Sequence, residues 1–225
     1  MAVITIASHK GGVGKSTLAF HLAAVLSFLD DSEGQVLVID GDENRSVLGW
    51  ASKNETDSLP FKVVTLATQA KWFQAGNRAT HIIVDTQARP SRDDLREIIG
   101  DSDLLIIPTP AQSLSIDTLP LFLADLRALG VTTPYTFLLT LVDSRTKDAV
   151  AAREYLRSMN VPLLDGQIRL FNAFQKAADQ GVLVRDARAE NGKRDRNAGV
   201  AWNDCMGVGK EVWEIIEQMK EEPNG

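Results

Sequence analysis

The strongest chemical signal in this chain is the run Lys10-Gly11-Gly12-Val13-Gly14-Lys15-Ser16-Thr17. It follows an apolar run, Ala2–Ala7, and precedes a helix-like stretch, Leu18–Leu29. A strand, a glycine-rich turn and a helix in that order build a phosphate cradle. The glycines let backbone N–H groups close on oxygens without a Cβ in the way. The helix start adds free N–H donors and the positive end of a dipole. In such a cradle Lys15 reaches the β/γ-phosphates and the Ser16 hydroxyl ligates magnesium. Two further runs place acids beside it. Asp40 closes the apolar run Gln35–Asp40 and is followed by Asp42, and Asp85 closes His81–Asp85. A carboxylate at the C-terminal end of a parallel strand lies on the same sheet edge as the phosphate loop. A single Asp ending an apolar strand downstream of such a loop is the pattern that holds a magnesium shell.

These groups need a scaffold, and the hydrophobic pattern supplies one. Strands are expected at residues 3–7, 35–40, 61–66, 81–85, 104–107 (halted by Pro108), 135–141 and 161–164. Helices are expected over 16–29, 92–100, 114–129, 147–159, 171–180 and 199–221. Runs apolar on both faces suit strands covered on both sides. The alternation reads as an α/β fold: a doubly wound, mostly parallel sheet with helices on both faces, forming a single domain over 1–225. Ala187–Asn197, polar and heavily charged, reads as a loose segment, and the tail from Glu221 as frayed.

Composition bounds the function. Hydrophobic content of 44% and charged content of 24% are those of an ordinary globular protein able to bury a core. The one cysteine, Cys205, rules out an intrachain disulfide and suits a reducing cytoplasm. No apolar run approaches the roughly 20 residues of a membrane helix. The net charge of −6 argues against a generic nucleic-acid binder, yet residues 143–210 hold 12 basic and 9 acidic residues. That basic region is either a phosphate-binding face or solvated surface.

The loop departs from the common G-x-x-x-x-G-K-[ST] spacing, because His9 stands where a glycine is usual and Lys10 follows it. The K-G-G-x-G-K-[ST] form resembles the deviant Walker A box of the ParA/MinD family, a P-loop NTPase group. V-L-V-I-D-G-D-E-N resembles that family's first switch, with Glu43 and Asn44 in place of the common Pro-Gln. Asp85-Thr86-Gln87-Ala88-Arg89-Pro90 resembles its second. The runs Ile106–Pro110 and Leu138–Thr146 are similar to later family segments, and Gln167–Phe171 corresponds to a loop that packs on adenine. The resemblance implies an ATP- and Mg²⁺-dependent ATPase. Residues 10–17 (Lys10, Gly11, Gly12, Val13, Gly14, Lys15, Ser16, Thr17) would bind the nucleotide, with Thr140 and Arg169 near adenine. Ser16, Asp40 and Asp85 would organise magnesium, and Asp42 would orient the attacking water. Lys10 would act across a homodimer on the partner's nucleotide; its residue-level alternative is a solvated loop lysine.

The resemblance further implies that the ATP-bound dimer binds nonspecific DNA. Candidate contacts are Arg169, Lys176, Arg185, Arg188, Lys193, Arg194 and Arg196. Such a protein would be cytoplasmic and nucleoid-associated. It would partition or position a cargo through a separate ParB-like or other adaptor, since the first strand starts too near Met1 to leave room for a helix-turn-helix domain. Two other readings share the scaffold. One is a MinD-like membrane-associated regulator, but the C-terminal stripe Val212, Trp213, Ile215, Ile216 and Met219 has an acidic polar face that anionic lipid would repel, so core packing and no membrane partner are expected. The other is a metabolic ATP-dependent ligase, opposed by Lys10 and by the short chain.

Overall fold

Among the described residues, runs rich in Val, Ile and Leu form seven strands: β1 (Ala2–Ile6), β2 (Gln35–Gly41), β3 (Phe61–Thr65), β4 (Ala79–Thr86), β5 (Leu104–Pro110), β6 (Tyr135–Val142) and β7 (Leu163–Arg169). The helices between and after them are α1 (Lys15–Leu29), α2 (Ser46–Ala51), α3 (Leu66–Gln74), α4 (Arg92–Gly100), α5 (Thr118–Ala128), α6 (Asp148–Ser158), α7 (Asn172–Gln180) and α8 (Ala198–Glu221). This computed structural model describes residues 1–87, 92–113 and 118–221. The expected second-switch residues Ala88, Arg89 and Pro90, the start of the 114–129 helix and the tail beyond Glu221 lie outside the described residues.

The strands form one sheet in the order β3-β2-β4-β1-β5-β6-β7, with every pair parallel. Right-handed crossovers then decide where each helix lies. The connections through α1 and α2 run one way along the sheet, and those through α3, α4, α5 and α6 run the other way. The two sets therefore cover opposite faces. The packing agrees. One buried cluster joins Leu18–Leu26 of α1, Val47 and Trp50 of α2, Ala173 of α7 and Val208, Val212 and Ile216 of α8 against one face. On the other face, Leu95 and Ile99 of α4, Phe122 and Leu126 of α5, and Leu156 of α6 share a second cluster. Trp72 of α3 packs on a third, small one. All strands end on one edge, and the chain order reverses around β1. Ligands bind at such a switch point.

Several expectations are corrected. β5 is not halted at Pro108 but runs to Pro110. Along β5 the even-numbered residues point their backbone groups toward β1, as the Ala7 N–H to Ile106 carbonyl bond shows, and β1 pairing stops at Ile106. The missing N–H of Pro108 therefore costs no ladder bond. β7 lies later than expected, and α2 and α3 were not foreseen. The segment 187–197 is ordered by an antiparallel bridge between Arg188 and Arg194 and by backbone bonds from Ala189 to Lys193 and from Asp195 to Ala187. The expected C-terminal stripe is core: Val212 and Ile216 are buried, and Trp213, Ile215 and Met219 pack against them. Among the described residues, no helix is long and apolar enough to cross a membrane.

Candidate functional site

The loop from Ser8 to Gly14 leaves β1 and enters α1. Gly12 and Gly14 adopt φ of 70° and 90°, and no protein atom lies within 4 Å of a Cβ built on either. Backbone conformation, not packing, therefore calls for glycine at both. α1 starts with no side-chain cap and no acidic residue in its first turn. Its first N–H groups are left for an anion, as a phosphate-binding helix start requires. The loop is braced from three sides. Thr140 donates its hydroxyl to the Val13 carbonyl at 2.9 Å, and Thr86 donates to the Ile6 carbonyl at 2.9 Å. The His9 ring packs edge-on against Phe122 at 4.6 Å and lies 3.5 Å from Asp125. The Lys10 N–H donates to the Ser8 hydroxyl at 3.3 Å.

The acids converge on the same edge. Asp40 and Asp85 are direct register partners on β2 and β4, and Ile6 pairs with Asp85 on its other side. Asp85 is fully buried, and both its carboxylate oxygens lack a hydrogen-bond partner. Burial pushes its pKa up to about 7. The Ser16 hydroxyl pulls against that, without reaching full hydrogen-bond geometry, and Asp40 adds to it. Lys15, 7% exposed, is held below its ordinary value by burial, opposed by the nearby charges of Asp85 and Asp42.

Asp40 has a structural duty as well. Its two oxygens accept the N–H groups of Asp42 (3.1 Å) and Leu48 (2.8 Å), tying the turn to α2. α2 is itself anchored. Trp50 stacks on Phe20 at 4.2 Å and donates its indole N–H to the Val182 carbonyl at 3.1 Å. Asp42 is half-buried and accepts the Asn44 N–H at 2.9 Å.

A buried carboxylate with two unpartnered oxygens beside a hydroxyl and an ammonium fits a divalent cation. Among the described residues no three His, Cys, Asp or Glu side chains form a cage. The chemistry suits Mg²⁺, which takes one or two carboxylates and otherwise water and phosphate oxygens.

Beside the loop lies a cavity of about 250 Å³. Its walls include Gly14, Thr17, Leu18, His21, Thr140 and Arg169, together with Phe171 and Phe174. Mostly apolar walls with a few polar groups suit a flat heterocycle. Leu141, at φ 50°, turns the chain into this wall in a conformation costly for a branched side chain. Thr140 therefore serves first as a brace and second as a wall. Sequence reasoning missed His21. It is buried, its Nε2 accepts the Val184 N–H at 3.0 Å, and its Nδ1 therefore donates to the Thr17 carbonyl at 2.8 Å. Burial holds its pKa down at about 4. A histidine four residues after Thr17 on a buried helix was the available signal.

The candidate DNA contacts fall into two sets. Arg169 makes a two-pronged ion pair with Asp204, closest at 2.5 Å, and Lys176 pairs with the buried Asp195 at 2.7 Å. Both act as internal struts. Arg185 lies over Phe28 (4.6 Å) and Trp202 (5.0 Å) and lines one surface depression with Arg188 and Arg194. Lys193 and Arg196 are exposed.

Known proteins share this fold. The family model described as the CobQ/CobB/MinD/ParA nucleotide binding domain matches residues 4–184. Maintenance of carboxysome distribution protein A of Gloeobacter kilaueensis is 29% identical over 195 residues, 85% of this chain and 87% of that one. Protein virC1 of Rhizobium rhizogenes is 27% identical over 242 residues, 97% of this chain and all of that one. The fold is that of a plasmid partition protein from Borrelia burgdorferi solved with AMPPNP, described there as putative. That likeness has a TM-score of 0.69 at 21% identity, covering 95% of this chain and 98% of that one.

Proposed function

This chain belongs to the CobQ/CobB/MinD/ParA nucleotide-binding family, and from that premise we propose that it is a ParA-type ATPase that positions a cargo. The observation that supports this most is the juxtaposition of an uncapped helix start, the buried Lys15 and the unpartnered Asp85 on one sheet edge. ATP lies with its phosphates in the loop from Gly11 to Thr17 and its base in the cavity walled by His21 and Phe171. Ser16 and Asp85 would hold Mg²⁺, and Asp40, the register partner of Asp85, would help organise it. When bound, the cation would supply positive charge against the phosphates. Lys15 lies on the β/γ-phosphates, where its low-dielectric setting strengthens the attraction. Asp42, tethered through Asn44 at the mouth of the site, orients the attacking water. Lys10 reaches the nucleotide of a second subunit in a face-to-face homodimer, as an arginine finger would.

The dimer then presents two sets of surface basic side chains to nonspecific DNA, and affinity rises steeply with the number of phosphates met. Arg185, Arg188, Lys193, Arg194 and Arg196 are the contacts. Arg169 and Lys176 hold the surface that carries them. An adaptor protein links the cargo and stimulates hydrolysis, and the protein resides on the nucleoid. The relative named for the maintenance of carboxysome distribution, 29% identical over 85% of this chain, supports positioning as the task. The test measures DNA binding and light scattering with ADP, ATP and a slowly hydrolysed ATP analogue. ATP-dependent dimers that bind DNA are expected. Monomers throughout, with DNA binding indifferent to nucleotide, would overturn the reading. Turnover strictly dependent on a small carboxylate would also overturn it, in favour of a ligase.

A further inference from the structure

The apolar side of α3 faces away from the protein. None of its residues is buried. Its half-buried positions are Gln69 and Trp72, and Trp72 packs on the small cluster of Leu37, Ile39, Val64, Ile82 and Val84. Leu66, Ala70 and Phe73 stand at i, i+4 and i+7 on the outer side, and all are exposed, Leu66 at 49% and Phe73 at 38%. A surface helix ordinarily turns such a stripe inward. The outward stripe is held in place by a capping box between Thr65 and Thr68 at the helix start. Apolar anchors at this spacing are what a helix-to-helix contact reads.

The segment that carries the stripe is one-sided in charge, although the turn that Leu66 touches carries Asp42. From Ser58 to Val84 the chain has three basic residues, Lys62, Lys71 and Arg78, and no acidic one, in a protein of net charge −6. All three are exposed. Lys62 lies two residues before Val64 on β3, so it shares the sheet face that α3 covers. We propose that the outer face of α3 is a docking site for an acidic amphipathic helix of a partner protein. The partner's apolar ridge lies on Leu66, Ala70 and Phe73, and its flanking carboxylates meet Lys62, Lys71 and Arg78. A second copy of α3 would bring like charges together, which disfavours self-association. Three cations are few for holding an anionic bilayer.

The site also reaches the first switch. A Cβ built on Gly41 would lie 3.5 Å from Leu66 Cδ1, so Leu66 packs against the turn between Asp40 and Asp42. An occupant of α3 presses on the turn that carries Asp42. This coupling rests on the ATPase reading, whereas docking does not.

The experiment uses a fluorescent synthetic peptide with Leu at i, i+4 and i+7 and Glu elsewhere, and a second peptide with Lys replacing Glu. Anisotropy should show saturable binding of the Glu peptide alone. Leu66→Ser with Phe73→Ser should weaken it at least about tenfold. Lys71→Glu, on an exposed side chain that leaves the fold intact, should weaken it about threefold or more at low salt. Absence of binding, equal binding of both peptides, or binding unchanged by Lys71→Glu overturns the proposal. So does flotation with phosphatidylserine vesicles, or dimerisation without nucleotide, that is lost in the Leu66/Phe73 variant. Peptide binding in a protein that turns over no ATP would sink the ATPase reading and leave the docking site standing.

Discussion

His21 offers a sharp test of how the cavity wall is built. Its ring is buried and neutral, donating from Nδ1 to Thr17 and accepting at Nε2 from Val184. Protonation destroys the Nε2 acceptor and places a charge where water cannot reach. The folded-state pKa is accordingly about 4, against 6.5 in an unfolded chain. The folded state thus binds fewer protons than the unfolded one between these values. Stability is present above 6.5 and is lost as pH falls through the window down to about 4. Two and a half units at about 1.4 kcal/mol each set a ceiling of about 3 kcal/mol. Going from about pH 8 to about pH 5 should remove about 2 kcal/mol of it. His21→Gln keeps a donor and an acceptor on one side chain but does not titrate. Urea titrations of both proteins across this range, with equal m-values, isolate the His21 contribution, because every other group is shared. The stability difference between wild type and variant should shrink by about 2 kcal/mol on acidification, or reverse sign if the variant begins slightly less stable. Parallel pH profiles would show that His21 is not the buried neutral acceptor described here.

Three further outcomes follow from other parts of the structure. Gly181→Ala forces a φ of 69° on alanine and sets its Cβ 2.3 Å from the Lys53 backbone, so thermal unfolding should show a loss of about 2–4 kcal/mol. Asp42→Ala should leave ATP affinity nearly unchanged and lower turnover about a hundredfold, measured as phosphate release; normal turnover would remove Asp42 from the reaction. Reversing Lys193, Arg194 and Arg196 should flatten the salt dependence of DNA binding by about 2–3 in log–log slope, and an unchanged slope would clear that cluster.

The loop end of the sheet was legible because its signals are local. Gly12 and Gly14 need left-handed backbone, Lys15 follows at fixed spacing, and Asp40 and Asp85 each stand one residue before the end of an apolar strand. The central strands were legible because Ile4, Val38, Ile83 and Ile106 sit in runs apolar on both faces. Elements whose reason is tertiary escaped. Pro108 signals a strand end unless one knows that β1 stops pairing at Ile106. α2 is six residues long and is held by Trp50 against Phe20 and Val182, partners distant in sequence. α3 has its apolar stripe outside, so its pattern gives no inward face to find. Residues 187–197 look loose by composition, but Asp195 is buried against Lys176. Likewise, charge alone could not tell that Arg169 is fastened to Asp204 while Lys193 is open to solvent.

If the proposed function holds, the loop before α1 grips a nucleotide's phosphates with Lys15 inside the cradle. Calorimetric titration of ATP and Mg²⁺ into wild type and Lys15→Ala, with circular dichroism confirming that both are folded, tests it most directly. Saturable binding by the wild type, weakened at least about a hundredfold by the substitution, is expected. Equal affinity in the two proteins, or no binding by the wild type, would contradict it.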